Sequence, residues 1–124
     1  MKLLTVDDSA MMRKIVADAA AVTGFDVLEA ENGDEALKIL DAEAKDIAIV
    51  LLDWNMPGMN GLEVLKKIKS NKRIAKIPVM MVTTESERAN ILKAIQAGAA
   101  NYLAKPFAME DLITKIMQTV GAGS

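Results

Sequence analysis

Five polar residues in this sequence come at the ends of short apolar segments that are typical of β-strands. Asp7 and Asp8 follow the first such segment, and Asp53 follows the third. Thr83 follows the fourth segment and Lys105 the fifth. A single aspartate after a strand is most often a turn or capping residue. The meeting of three carboxylates, a hydroxyl and an ammonium group at one edge of a sheet would instead indicate a reactive site.

The chemistry open to such a cluster is phosphoryl transfer with a divalent cation bound. Clustered carboxylates raise one another's pKa, and a cation relieves the repulsion between them. Mg²⁺ prefers oxygen ligands, which the carboxylates of Asp8 and Asp53 and the carbonyl of Asn55 would supply. Asp53 would then act as a nucleophile and form an aspartyl phosphate. Lys105 would neutralise charge, and Thr83 would donate a hydrogen bond to a phosphoryl oxygen.

The composition limits the other possible functions. The chain has 124 residues, of which 52% are hydrophobic, so it is long enough for one domain with one core. A net charge of −2 argues against a nucleic-acid face. The absence of cysteine and histidine excludes a thiolate metal site and the commonest general base. The first apolar run is too short for a signal peptide or a membrane span, and we expect a cytoplasmic monomer that does not insert into a membrane.

The elements that must position the polar residues alternate between strand and helix patterns. The strand-like segments are 3–6, 25–30, 47–52, 79–82 and 100–104, and apolar residues at helical spacing lie between and after them. The alternation predicts an α/β fold, (βα)₅, with a doubly wound parallel five-stranded sheet in the flavodoxin-like order 2-1-3-4-5. Ligands bind such sheets at the carboxyl ends of the strands. We assign one domain to residues 1–120 and a flexible tail to residues 121–124.

Several features have simpler structural interpretations. Gly58 and Gly61 are interpreted as turn glycines, and Gly98 as the residue that ends the fourth helix. The single tryptophan, Trp54, adjoins Asp53 and is expected to be partly exposed if it points away from the core. Four methionines at core spacings are predicted to pack inside: Met12, Met80, Met81 and Met117. The basic residues from Lys66 to Lys76, near the third helix, are interpreted as a solvated face.

The same residues resemble the receiver domain of two-component response regulators. The resemblance covers essentially the whole chain and rests on VDD at 6–8, LDWNMPGMNG at 52–61, VT at 82–83 and YLAKPF at 102–107. It implies phosphorylation of Asp53 by a partner histidine kinase, with Mg²⁺ held by Asp7, Asp8, Asp53 and Asn55. It also implies that Lys105 is a site residue and that the peptide bond between Lys105 and Pro106 is cis. Thr83 and Tyr102 would form a switch pair.

Among receivers, the chain is most similar to the stand-alone chemotaxis regulators. That similarity implies a role in flagellar motor control, with a motor switch protein as output partner and a phosphatase as a further partner. It also implies that Asn55 and Glu85 gate the water that hydrolyses the phosphoryl group, so that phosphorylation is short-lived. Ser9 and Thr84 depart from the chemotaxis pattern, in which an aromatic residue and an alanine occupy these positions.

Three alternatives remain open at the level of sequence. The chain could be a single-domain receiver in another two-component or phosphorelay pathway. It could be a Mg²⁺-dependent phosphatase with an aspartate nucleophile, but such enzymes carry a second aspartate where this chain has Asn55. A flavin-binding electron carrier of the same fold would need a hydroxyl-rich phosphate loop after the first strand, and Asp7 and Asp8 would repel a phosphate there.

Overall fold

The computed structural model describes residues 1–84 and 88–122, which form five strands and five helices in strict alternation. The elements are β1 (Lys2–Val6), α1 (Ala10–Thr23), β2 (Asp26–Ala30), α2 (Gly33–Glu43), β3 (Ile47–Leu52), α3 (Gly61–Ser70), β4 (Val79–Thr83), α4 (Arg88–Gln96), β5 (Asn101–Ala104) and α5 (Met109–Ala122).

The five strands form one parallel sheet in the order β2-β1-β3-β4-β5, which confirms the prediction. From β1 the chain passes to β2 at one edge of the sheet, and it then crosses to β3 on the other side of β1. The direction of the strand order therefore reverses between β1 and β3. The register pairs Val6 with Leu52, so β1 and β3 end side by side. The residues that follow these strands, Asp7 and Asp53, are therefore neighbours at the carboxyl edge.

Helices cover the sheet on both faces because successive residues of a strand point to opposite sides. In β3, Val50 and Leu52 belong to a core cluster shared with α2, α3 and α4. Ile49 and Leu51 belong to a second cluster shared with α1 and α5. Full burial of one such side chain stabilises the fold by about 1.5 to 3 kcal/mol. The central strand is thus fixed from both sides, which holds the residue that follows it in place.

Side-chain caps fix the start of three helices at the same edge of the sheet. Ser9, Asn32 and Asn60 each accept a hydrogen bond from a backbone N–H in the first turn of α1, α2 and α3 respectively. Asn60 and Glu63 complete a reciprocal capping box. At the other edge, Gly98 has a φ of 107° just after α4, as predicted. The caps at this edge fix where α1, α2 and α3 begin.

Two details of helix α5 differ from the sequence predictions. Met117 was predicted to pack inside, but it is 52% exposed because it lies on the outer side of α5. Helix α5 continues through Gly121 and Ala122, the first half of the segment assigned to the tail, while Gly123 and Ser124 lie outside the described residues. The flexibility of residues 121–124 stays a prediction. None of the helices described is long and apolar enough to cross a membrane.

Candidate functional site

Three carboxylates meet at the carboxyl edge of the sheet between β1 and β3. One oxygen atom from each of Asp7, Asp8 and Asp53 lies within 4.8 Å of the others. Asp7 and Asp53 are buried, whereas Asp8 is exposed. The predicted convergence of the three carboxylates is therefore present in the structure. The three side chains differ in their exposure to solvent.

Asp7 is held by contacts to both of its carboxylate oxygens. Oδ1 accepts a hydrogen bond from the Ser9 N–H at 2.9 Å, and Oδ2 accepts one from Lys105 Nζ at 2.7 Å. Both side chains of the ion pair are largely inaccessible, with 12% exposure for Lys105 and 5% for Asp7. Lys105 therefore spans the edge from β5 to β1, and Asp7 serves as its principal anion.

Arg13 supports this arrangement from α1, and sequence reasoning did not identify it. Its Nη1 donates to the backbone carbonyl of Asp7 at 2.7 Å, and its Nε contacts Glu29 Oε1 of β2 at 2.9 Å. The arginine thereby ties the turn after β1 to the neighbouring strand. An arginine one turn into an amphipathic helix carries no sequence signal for such a contact, because its partner is a backbone carbonyl.

Asp53 occupies a different environment from Asp7. It is 7% exposed, its Oδ2 lies 3.5 Å from Lys105 Nζ, and its Oδ1 accepts a long hydrogen bond of 3.4 Å from the Asn55 N–H. Burial raises the pKa of the Asp53 carboxyl above its usual range, and the nearby Asp7 charge adds to this. Lys105 and a hydrogen bond from the Thr83 side chain oppose the rise in pKa without cancelling it.

The loop after Asp53 packs closely against its own backbone. Gly58 has a φ of 76°, as expected for a turn glycine. Gly61 has a different role from the one predicted, because it is the first residue of α3 and has no positive φ. A Cβ atom there would lie 2.2 Å from the carbonyl oxygen of Asp53 and 2.7 Å from the Cα of Trp54. The Gly61 N–H also donates to the Trp54 carbonyl at 2.8 Å. Gly61 therefore permits a close approach of helix to strand.

The other predicted residues lie around the cluster at different depths. Asn55 and Thr84 are both exposed, and Asn55 Nδ2 contacts Thr84 Oγ1 at 3.4 Å. Tyr102 is half-buried on β5 and packs against the larger core cluster, so it is not part of the carboxylate cluster itself. Glu85, the second predicted gating residue, lies outside the described residues.

Two further predictions concern backbone and aromatic neighbours of the site. The peptide bond between Lys105 and Pro106 is cis, as the resemblance implied. Trp54 is only 9% exposed and belongs to the larger core cluster, because its side chain points toward the core. A cavity of about 420 Å³ opens beside the cluster and is lined by residues including Asp8, Glu31, Pro57 and Met59.

The site combines buried and exposed carboxylates, a lysine that contacts two of them, and a threonine. Known proteins are similar to this chain in sequence and in fold. Residues 3–117 match the family described as the response regulator receiver domain. The chemotaxis protein CheY1 of Helicobacter pylori is 47% identical over 122 residues, which is 98% of each chain. The chemotaxis protein CheY homolog of Campylobacter jejuni is 45% identical over 125 residues, which is 100% of this chain and 95% of the relative.

Solved structures agree with the sequence relatives. The Vibrio cholerae chemotaxis protein CheY4 has a TM-score of 0.85 at 31% identity, with 95% of this chain and 97% of that chain covered. A CheY-like response regulator receiver domain protein from Methanospirillum hungatei has a TM-score of 0.88 at 27% identity, with 98% and 94% covered. This chain therefore belongs to the response regulator receiver domain family.

Proposed function

We propose that this chain is a phosphorylation-activated signalling switch in which Asp53 accepts a phosphoryl group from a partner histidine kinase. The observation that carries the proposal is the placement of Asp53, buried at the end of the central strand with Lys105 and Thr83 directed at its carboxylate. Family membership supports the same role. The chain would act through a protein surface and not by turning over a substrate.

Phosphoryl transfer to Asp53 would follow from the charges around it. A carboxylate oxygen of Asp53 attacks phosphorus, and the bond between phosphorus and the donor nitrogen breaks, which leaves the donor histidine free. Lys105, 3.5 Å from Oδ2, neutralises negative charge that builds up on the transferring group. Thr83, already hydrogen-bonded to the carboxylate, would then donate to a phosphoryl oxygen.

The acidic cluster fits a magnesium ion in its donor chemistry. Carboxylate oxygens of Asp7, Asp8 and Asp53 lie within 4.8 Å of one another, and we propose that these residues and the carbonyl of Asn55 hold Mg²⁺. When bound, the ion would neutralise the negative charge of the carboxylates and of the incoming phosphoryl group. Asp8 is the exposed one of the three carboxylates.

The output is proposed to be a surface formed by α4, β5 and α5. Thr83 would move toward a phosphoryl group on Asp53, and the half-buried Tyr102 would rotate into the vacated space. This rotation would rearrange the residues around it, among them Ile95, Phe107 and Lys115. The two arrangements would be nearby states whose populations shift upon phosphorylation. Because the relatives are chemotaxis proteins, we propose the flagellar motor switch as the target and a phosphatase as a further partner.

The first experiment tests the phosphorylation site. Incubation with acetyl phosphate and Mg²⁺ should add the mass of one phosphoryl group, and Asp53→Asn should abolish the addition. Asp46→Asn is a matched control, because Asp46 is an exposed aspartate just before the same strand. Unchanged labelling of the Asp53 variant would refute the assignment, and continuous release of phosphate from small phosphate esters would support a phosphatase instead.

A second experiment tests the coupling from Asp53 to the surface. Binding of a motor-switch peptide should strengthen with the phosphoryl mimic beryllofluoride. Thr83→Ala should still accept a phosphoryl group but lose most of that gain in affinity. If the variant couples phosphorylation to binding as the parent does, the Thr83 and Tyr102 mechanism is wrong while the phosphorylation site stands. A receiver from another pathway would be phosphorylated but would not bind this peptide.

A further inference from the structure

A groove between α3 and α4 lies apart from the carboxylate cluster. It has a volume of about 310 Å³ and is lined by Leu62 and Lys66 from α3, and by Lys93, Gln96 and Ala97 from α4 and the turn that follows it. None of these residues belongs to the acidic site. A volume near 300 Å³ is at the lower end for small-ligand pockets and suits one or two side chains of a partner.

The groove has an apolar floor and a polar rim. Leu62 and Ala97 are half-buried and pack against the larger core cluster. Lys66, Lys93 and Gln96 are exposed at its sides. An occupant that matched this pattern would place an apolar side chain on the floor and groups that accept hydrogen bonds at the rim.

The segment that contains Lys66 is opposite in charge to the chain as a whole. Residues 64–84 contain six lysines and arginines and no acidic residue, although the net charge of the chain is −2. The rest of the chain therefore carries nine basic and 17 acidic residues, a net charge of −8. The solvated-face interpretation fits five of these six basic residues, which are exposed, but not Lys69, which is half-buried. It also does not explain why the segment has no acidic residue.

Some of these basic groups already have partners in the fold, and the two at the groove differ from them. Lys69 Nζ donates to the carbonyls of Ala75 and Ile77 at 2.9 and 2.8 Å, and Arg73 pairs with Asp41. Within residues 1–84 and 88–122, neither Lys66 nor Lys93 forms an ion pair. The charges of Lys66 and Lys93 are thus available on opposite walls of one groove.

We propose that the groove between α3 and α4 is a docking site for an acidic amphipathic segment of a partner protein. An apolar side chain of that segment would pack on Leu62 and Ala97, and flanking carboxylates would pair with Lys66 and Lys93. The walls hold no aromatic ring for base stacking and no arginine for bidentate phosphate contacts, which disfavours a nucleic acid. The proposal does not depend on phosphorylation of Asp53. The groove shares α4 with the proposed output surface, but it lies on the side of that helix that faces α3.

The test is a nuclear magnetic resonance titration of the isotope-labelled protein with a synthetic helical peptide. The peptide carries leucine on one face with glutamate one turn away, and its comparator carries glutamine in place of glutamate. The acidic peptide should shift the amide signals of the first half of α3 and of the last turn of α4. The double variant Lys66→Glu with Lys93→Glu should weaken its affinity about tenfold, and added salt should weaken binding to the parent.

Lys38→Glu is the matched control, since Lys38 is an exposed lysine on α2 and its reversal changes the net charge in the same direction. It should leave the affinity within about twofold of the parent, as expected for a charge outside the contact. Equal binding of the glutamine peptide, signal changes confined to other surfaces, or no binding would overturn the proposal. Tighter binding of a single-stranded RNA oligonucleotide in the groove would overturn it as well. All variants should retain labelling by acetyl phosphate, which separates this test from that of Asp53.

Discussion

Substitution of Gly61 by alanine should damage both the stability and the reactivity of the protein. The added Cβ would lie 2.2 Å from the Asp53 carbonyl oxygen, 2.7 Å from Trp54 Cα and 2.9 Å from the Asp53 carbonyl carbon. All three are backbone atoms of the segment that carries the proposed phosphoacceptor. Since ordinary contact begins near 3.4 Å, helix and strand must separate by about 1 Å.

The expected magnitude follows from what that separation breaks. Overpacking of a close-packed interior costs about 1 to 3 kcal/mol. The hydrogen bond from the Gly61 N–H to the Trp54 carbonyl, 2.8 Å long, would be stretched, which adds about 1 kcal/mol. We expect the free energy of unfolding to fall by about 2 to 4 kcal/mol. A displacement of Asp53 by about 1 Å should also slow its phosphorylation about 100-fold.

Three other glycines provide controls for the separate effects of an added methyl group. Gly121→Ala adds it in α5 with nothing within 4 Å, and should stabilise the helix by about 0.5 kcal/mol. Gly24→Ala also meets nothing within 4 Å but has a φ of 85°, so it should cost about 1 kcal/mol through backbone strain alone. At Gly33 the nearest atom, 2.6 Å away, is a methyl group of Val64, which can move more easily than backbone.

The assay combines urea unfolding with the rate of mass addition from acetyl phosphate. Only Gly61→Ala should lower both stability and the phosphorylation rate strongly, while Gly24→Ala should lower stability and leave the rate unchanged. If Gly61→Ala unfolds and reacts like Gly121→Ala, the close approach does not position Asp53. If it is unstable but reacts at the parent rate, the strand absorbs the methyl group without moving the carboxylate.

The remaining predictions concern the cap, the metal and the ionisation of the site. Ser9→Ala should destabilise the protein by about 1 kcal/mol in urea unfolding, because the Ser9 hydroxyl caps α1 at 3.2 Å from the Met12 N–H; an unchanged midpoint would show that water replaces the cap. Mg²⁺ should change the fluorescence of Trp54, and Asp8→Ala should weaken that response, whereas a flat titration of the parent would count against the metal site. Folding raises the pKa of the Asp53 carboxyl above 3.8. Protonated Asp53 therefore favours the folded state below the unfolded pKa, and this contribution to stability is lost as pH rises through the folded pKa. Without metal, Asp53→Asn should therefore gain stability relative to the parent as pH rises from the unfolded pKa through the folded pKa of Asp53, and a constant difference would contradict the raised pKa.

Most of the fold could be predicted because its signals are local and periodic. The wholly apolar segment 47–52 identified a strand covered on both faces, and its observed bounds are the same. Other strands begin or end one residue away from the prediction, as at Thr83, because strand ends depend on hydrogen bonds to neighbours that periodicity does not encode. Met117 was misplaced for a related reason, since helical spacing identifies a face but not how far around the helix the buried face extends.

The members of the site could be predicted, but their relations to one another could not. Strand ends at one edge were enough to bring Asp7, Asp8 and Asp53 together. The sequence did not indicate that Lys105 contacts Asp7 more closely than Asp53, because that depends on side-chain reach across the sheet. It also did not reveal the role of Arg13, because its Nη1 donates to a backbone carbonyl, a group that every residue carries.

The three carboxylates have different environments, and this difference is the strongest physical reason for assigning them different roles. Both oxygens of Asp7 accept short hydrogen bonds, at 2.9 Å from the Ser9 N–H and 2.7 Å from Lys105, whereas the hydrogen bond from the Asn55 N–H to Asp53 is 3.4 Å long. Asp8 is exposed, and water would compete for any group transferred to it. Asp53 is desolvated, has a raised pKa and lies at 3.5 Å from an ammonium group held mainly by another acid. Because a less stabilised carboxylate gains most from a new partner, we expect Asp53 to be the acid that reacts.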